Sequence, residues 1–277
     1  MSSPLFSRLG RASPEARSCE PLLAADEPPA CEVINVAGRG SAFLVCDHAS
    51  NRLPRSLANL GLEPAQLADH IGWDAGAAEV ARRLSRHLDA PLVLSGYSRL
   101  AIDCNRPLDS SESIPEQSAG VSVPGNRALT PEDRATRIAG LFRPYHEAIT
   151  RLLDRRAGRP SLLLSIHSFT PELDGQRRPW DIAISYGRDR RLAALLLDAL
   201  KAGASVVVGD NEPYPVDDAV DYTIPVHGEG RGVPHVLIEL RQDVIATPAN
   251  AAGWAMRLAQ SYAQVEPAAL RLCGMPR

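Results

Sequence analysis

Residues 161–168 read Ser161-Leu162-Leu163-Leu164-Ser165-Ile166-His167-Ser168. The run at 161–166 is almost wholly apolar, which predicts a strand of a parallel sheet covered on both faces. Polar chemistry begins at its end, with His167 and Ser168. Working outward, similar short runs recur at 42–47 (AFLVCD), 91–96 (PLVLSG), 100–104 (LAIDC), 181–186, 205–209 and 233–240 (VPHVLIEL). Helical patterns fill the spaces between them. Short ones are expected at 54–60 and 64–70, each with proline near its first turn. A longer helix is expected at 73–88, with Ala77, Val80, Ala81, Leu84 and Leu88 on one face. Thr130-Pro131-Glu132-Asp133 is a good helix start, followed by an apolar face of Ile138, Leu141, Phe142, Tyr145, Ile149, Leu152 and Leu153. Further helices are expected at 189–202 and 248–265. Alternating strands and helices predict an α/β fold, a mixed, mostly parallel sheet sandwiched between helices.

Residues 109–126 hold many Ser, Glu, Pro and Gly and little periodicity, which predicts a long loop of the kind that often acts as a lid. Residues 1–40 are expected to be a loosely ordered lead-in, and 41–277 a single α/β domain. The chain has 277 residues, 44% hydrophobic and 23% charged, which excludes disordered, collagen-like and coiled-coil classes. A net charge of −3 gives no nucleic-acid or anionic-membrane footprint. Five dispersed cysteines contain no C-x-x-C pair, so neither a disulfide framework nor a cysteine zinc site is expected. With no signal-peptide pattern and no long apolar run, the expected location is the cytoplasm.

The polar residues gather just after the apolar runs, where open α/β sheets place their ligand crevice. Asp47, His48, Ser50 and Asn51 follow the first run. Asp103, Asn105 and Arg106 follow another, His167 and Ser168 a third, and Glu239 and Arg241 close the last; Tyr186 is a weaker case. Two histidines are not sufficient for a catalytic zinc site, which takes three protein ligands and an open position. The carboxylate candidates are Asp47, Asp74 and Glu239. Strand-end histidines are ordinarily packing residues, and Asp74, in Gly72-Trp73-Asp74, could equally serve a helix N-terminus. Arg106 could be a solvated turn residue, or an arginine fork holding a carboxylate beside Asn105. Glu239 interrupts an apolar strand, so it is either paired or has the raised pKa that a general base needs. His70, His87 and His146 read as surface or packing residues. The Gly-rich segment 226–232 with His227 reads as a flexible turn that could also close over a substrate. No H-E-x-x-H, Gly-x-Ser-x-Gly or Rossmann fingerprint is present.

Taken in order, Val45-Cys46-Asp47-His48-Ala49-Ser50-Asn51-Arg52-Leu53-Pro54, Gly72-Trp73-Asp74-Ala75-Gly76-Ala77, Asp103-Cys104-Asn105-Arg106-Pro107, Ile166-His167-Ser168-Phe169 and Ile238-Glu239-Leu240-Arg241 resemble the N-formylglutamate amidohydrolase family. The resemblance spans about residues 40 to 265. It implies a zinc-exopeptidase-like three-layer α/β/α fold and a zinc hydrolase with one Zn2+ per chain, cleaving an amide on an amino-acid nitrogen. It implies His48 and His167 as metal ligands, Asn105 and Arg106 as the holders of the substrate carboxylate, and Glu239 as the general base. Zinc carboxypeptidases place a glutamate three residues after the first histidine, where this chain has Asn51. Asp74 is therefore the expected third ligand, with Asn51 in reserve. Ser168, Arg241 and Asn51 complete the expected substrate contacts. The expected partner is a small N-acyl amino acid, with no nucleic acid and no membrane. His48-Ala49-Ser50 stands where histidine-degradation members carry His-Ser-Gly, so another N-acyl amino acid is an alternative substrate. A non-catalytic metabolite-binding relative is a further alternative.

Overall fold

The structure is a computed structural model, and it describes residues 21–203 and 205–273. A seven-stranded sheet runs through it. Its strands are β1 (Cys31–Ile34), β2 (Ala42–Cys46), β3 (Leu92–Ser95), β4 (Leu162–Phe169), β5 (Ile182–Ser185), β6 (Val208–Asp210) and β7 (His235–Arg241). They lie in the order β1-β3-β2-β4-β7-β5-β6. The central four, β3, β2, β4 and β7, run parallel. β1 is antiparallel to β3, and β5 is antiparallel to β7. The sheet is therefore mixed and mostly parallel.

The helices are α1 (Pro64–Ala68), α2 (Ala77–His87), α3 (Pro131–Arg137), α4 (Arg143–Arg155), α5 (Arg191–Lys201) and α6 (Pro248–Leu270), with a π-helical stretch at Ile138–Phe142 joining α3 to α4. Successive side chains of a strand point to opposite faces, and the central strands use both faces for the core. Ala42, Leu44, Cys46, Leu162, Leu164, Ile166, Val236, Ile238 and Leu240 pack with α2, α5 and α6. Phe43, Val45, Leu163 and Leu237 pack with Tyr145, Ile149, Leu152 and Leu153 of α4. The result is three layers, α/β/α. The expected capping of the α3 start is present: the Thr130 hydroxyl accepts from the Asp133 N–H and the Asp133 carboxylate accepts from the Thr130 N–H.

Several elements differ from expectation. β4 continues through Phe169, so His167 and Ser168 lie within the strand. Residues 100–104 form turns, because the Asp103 N–H donates to the Ser113 carbonyl rather than to a sheet neighbour. The loop at 109–126 contains a small hairpin, Gln117–Ser118 with Val121–Ser122. Residues 31–34, inside the expected loose lead-in, are the edge strand β1; residues 1–20 of that lead-in lie outside the described residues. The segment expected as a Gly-rich turn at 226–232 begins in a buried π-helical stretch, Ile224–Glu229. Because β5 runs against β7, Tyr186 sits at the opposite edge of the sheet from the carboxyl ends of β2, β4 and β7. Its hydroxyl donates to Asp210 there, so it takes no part in the site described next.

Candidate metal centre and substrate cleft

Strand parity brings the first functional groups together. Odd-numbered residues of β4 and β7 share the α4 side of the sheet, and Glu239 is the register partner of His167. β2 ends at Cys46, so Asp47 and His48 leave the sheet beside them. A turn ahead of α2 brings in the third element. The Asp74 N–H donates to the His48 carbonyl at 2.9 Å, and Gly76 adopts φ +82° just before the helix. A side chain at Gly76 would meet Ile245 as well as the left-handed backbone. Asp74 caps no helix: α2 has no side-chain cap, and the carboxylate turns to the histidines.

His48, Asp74 and His167 are all buried and offer ligand atoms within 4.8 Å of one another. His48 Nδ1 lies 3.3 Å, and His167 Nδ1 2.9 Å, from the same atom, Asp74 Oδ2. Each ring's other nitrogen has its own buried carboxylate: His48 Nε2 reaches Asp103 at 2.7 Å and His167 Nε2 reaches Asp47 at 2.9 Å. A carboxylate behind each imidazole, with the opposite nitrogen facing a common point, is how metal-ligating histidines are held.

Electrostatics follow from this geometry. Burial opposes charging of His167, but the hydrogen bonds to Asp47 and Asp74 overcome it and raise its pKa well above the usual histidine value. His48 is also raised, by Asp103 and Asp74, against burial and the Arg99 charge. Asp74 is lowered in turn, because the two imidazoles outweigh the cost of its burial. Without metal, the carboxylate holds two Nδ1–H groups. A divalent cation in their place carries the same charge as the two protons it displaces, and two imidazoles with one carboxylate are a donor set that suits zinc. The residues fit such an ion.

Asp47 is fully committed. It accepts from Tyr145 (2.8 Å), Thr223 (2.6 Å), Ser165 (3.0 Å) and His167. These donors hold its carboxyl far below the usual range despite burial. Asp103 accepts from His48 and from two nitrogens of Arg99, at 2.8 and 2.7 Å. Arg99 also approaches Asp74 at 3.8 Å. Sequence reading passed over Arg99. Its only signal is its position, in the turn beyond β3, another parallel strand whose carboxyl end opens on the site.

The cluster opens into a cleft of about 460 Å³, also lined by Arg99, Asn105, Arg106 and Glu239. Glu239 is buried, and its Oε2 has no hydrogen-bond partner among the described residues. Burial pushes its carboxyl up to about 7, against the pull of the His167 charge and with help from Asp74. Arg106 lines the wall, bonded to Glu112 at 2.9 Å and 3.6 Å from Asp221. Asn105 is bound within the fold: its amide donates to Asp221 and its oxygen accepts from the Tyr222 and Thr223 N–H groups. Ser168 lines the cleft while its N–H donates to Asp74 at 3.2 Å.

Two expected substrate contacts are not brought into the cleft. Arg241 pairs with Asp181 and Asp243 and donates to the carbonyls of residues 178–180. The antiparallel neighbour β5 begins beside it and takes its charge. Asn51 does not line the cleft, and the metal cluster is completed without it. His70, expected at the surface, lies on the cleft rim against Asp69.

A second buried histidine pair lies outside the cleft. His146 Nδ1 and His227 Nε2 are 2.9 Å apart, and His146 Nε2 reaches the Cys104 carbonyl at 2.8 Å. If His146 Nε2–H donates to that carbonyl, its Nδ1 accepts from His227, and both rings are neutral. Burial pushes them down to about 4 and about 3.

The N-formylglutamate amidohydrolase family model matches residues 41–246, which contain every group of the cluster. The chain belongs to the N-formylglutamate amidohydrolase family. Its fold is similar to that of a gene product of Agrobacterium tumefaciens, with TM-score 0.86 and 36% identity over 89% of this chain and 98% of the other. An N-formylglutamate amidohydrolase from Ralstonia eutropha JMP134 matches with TM-score 0.62 and 19% identity, over 88% of this chain and 99% of that one. No curated protein sequence matches significantly. Family membership makes the chain an amidohydrolase relative, and no helix among its described residues is long and apolar enough to cross a membrane.

Proposed function

We propose that the chain is a zinc-dependent amidohydrolase that cleaves the N-acyl amide of an acidic amino acid, with N-formylglutamate as the expected substrate. One observation carries this reading. Two histidines share the Asp74 oxygen through Nδ1 while separate buried carboxylates hold their far nitrogens, and the unpaired Glu239 carboxyl stands in the same cleft.

When bound by His48, Asp74 and His167, a divalent ion supplies Lewis acidity to the amide carbonyl and lowers the pKa of water. Glu239 takes the proton of the attacking water and delivers it to the leaving nitrogen. A carboxyl with a pKa of about 7 is well matched to both transfers. Arg106 holds the substrate α-carboxylate, which converts charge into orientation of the scissile bond. Asn105 acts by fixing the 221–223 segment rather than by touching substrate. Water adds across the amide C–N bond, giving formate and the free amino acid. The alternative of a relative without turnover drew on Asn51, and Asp74 provides the carboxylate that Asn51 lacks.

The test is hydrolysis of N-formyl-L-glutamate by chelated and zinc-reconstituted protein. Loss on chelation and recovery with one equivalent of zinc are expected. Undiminished hydrolysis in excess chelator, with no zinc retained, would overturn the metal assignment. N-acetyl and dipeptide substrates measured alongside separate the expected substrate from other acyl amino acids.

A further inference from the structure

Four buried arginines in this fold can be compared by what neutralises them. Arg241 pairs with Asp181 and Asp243. Arg137 donates to the Ala101 and Gly125 carbonyls and to Asn126. Arg156 donates to the Gly38 and Gly40 carbonyls. Arg178 differs. Only 7% of it is exposed. Like Arg137 and Arg156 it has no carboxylate among the described residues within ion-pair distance, but unlike them it has no set of carbonyl acceptors: its side chain donates only to Tyr214, and its Nη1 has no hydrogen-bond partner.

Two aromatic rings and one hydroxyl lie against its guanidinium. The guanidinium lies 5.6 Å from the Phe169 ring centroid and 5.0 Å from that of Tyr214, and Nη2 donates to the Tyr214 hydroxyl at 2.6 Å. Both rings line the substrate cleft. Phe169 follows His167 by two residues on β4, so the metal ligand and the guanidinium's support are on one strand. Tyr214 is 46% exposed, on the solvent side of a cation that is almost wholly buried.

A buried charge is costly unless a counter-ion takes it or hydrogen-bond acceptors surround it, as carbonyls do for Arg137 and Arg156. Aromatic faces compensate only part of that cost. We infer that Arg178 is a specificity residue that receives a second carboxylate, on the side chain of the substrate, with Tyr214 as the ring that moves to admit it. The inference rests on the cleft being the substrate site of the proposed function. It divides the recognition of a dicarboxylic substrate between two guanidiniums. Arg106 takes the α-carboxylate, and Arg178, behind the Phe169 and Tyr214 wall, takes the side-chain carboxylate. The methylene stem between the two carboxylates packs on those rings and on Leu173.

The experiment titrates L-glutamate and L-glutamine, neither of which carries an N-acyl amide on its α-nitrogen, into the full chain in zinc-containing buffer, with calorimetric detection. Wild type is expected to favour glutamate by about 30-fold, the scale of a buried charge pair. In Arg178→Met the preference falls to near unity, and in Arg178→Lys, which keeps the charge without the planar fork, it is intermediate. Equal affinities in wild type, no binding of glutamate, or a preference that survives in Arg178→Met would each overturn the inference. Equal weakening of both ligands in Arg178→Met would assign Arg178 a structural role and would also overturn it. Should Arg178→Met not fold, Arg178→Lys decides: an undiminished glutamate preference there overturns the inference. Turnover is read separately. A glutamate preference without hydrolysis of N-formyl-L-glutamate leaves Arg178 standing and removes the hydrolase reading, and hydrolysis without a preference does the reverse.

Discussion

Two buried histidine pairs lie in this chain at nearly the same separation. The rings of His48 and His167 are 5.0 Å apart, and those of His146 and His227 are 5.2 Å apart. Their pKa values shift in opposite directions. The first pair stands among Asp47, Asp74 and Asp103, which raise both imidazoles. The second pair has Phe142, Tyr145 and Tyr222 around it, and a backbone carbonyl as its hydrogen-bond acceptor, so burial keeps it neutral. Proximity of histidines therefore says little about metal binding. The carboxylates around them decide it, one shared between the rings and one behind each.

The largest expected effect concerns the carboxylate that the first pair leaves free. Glu239→Gln should keep one bound zinc and lose about 10²- to 10⁴-fold in kcat, the usual scale of general acid–base catalysis. Rates on N-formyl-L-glutamate with parallel metal analysis check this, and normal turnover would remove Glu239 from its role. Next is the support behind a ligand. Asp47→Asn should weaken zinc affinity by about 10- to 100-fold while leaving His48, Asp74 and His167 in place. Competition with a chromophoric chelator measures it.

The pairs should also tilt metal-free stability in opposite directions with pH. For His146 and His227 the folded pKa values, about 4 and about 3, lie below the ordinary 6.5. Their contribution is complete above the unfolded value and is lost as pH falls from there through about 4 for His146 and about 3 for His227. For His48 and His167 the folded values are raised, so their contribution is complete below 6.5 and is lost as pH rises past it. Urea midpoints across pH should show a shallower acid-side fall for His227→Gln than for wild type. A further pH effect belongs to Glu239. Its carboxyl, raised from 4.5 to about 7, stabilises the fold in its protonated form, a contribution present below 4.5 and lost as pH rises through 7. At pH 8 its burial as an anion costs about 3 kcal/mol. Metal-free Glu239→Gln should therefore melt at a higher temperature than wild type at pH 8, and equally at pH 4.

Much of this site was legible because strand ends carry it. Asp47-His48 follows one apolar run, His167 another, and Glu239 interrupts a third, so parity and sheet topology alone bring them to one edge. Asp74 was one of three open carboxylates in the residues alone, and it was chosen only through the family resemblance, which placed Asn51 where a glutamate was wanted. What could not be read was pairing between distant segments. Arg99 lies in a turn, and its partners Asp103 and Asp74 are identified only by the folded chain. Arg241 stands with Glu239 at the end of an apolar run, which made it an expected substrate contact. An antiparallel neighbour, invisible in a pattern of apolar runs, supplies Asp181 instead. His146 sits on a helix and His227 81 positions later on a π-helical stretch, so neither revealed the other. Residues 100–104 alternate like a strand, but Leu100, Ala101 and Ile102 bury themselves in side clusters away from the sheet.

The central claim is that one divalent ion replaces the two Nδ1 protons shared through Asp74. Calorimetric titration of chelated protein with zinc at pH 6.5, repeated in buffers of different ionisation enthalpy, counts both ions and protons. One zinc per chain with release of between one and two protons is the predicted result, and both should vanish in Asp74→Asn. Binding of zinc with no proton release, or with the same stoichiometry and affinity in Asp74→Asn, would contradict it.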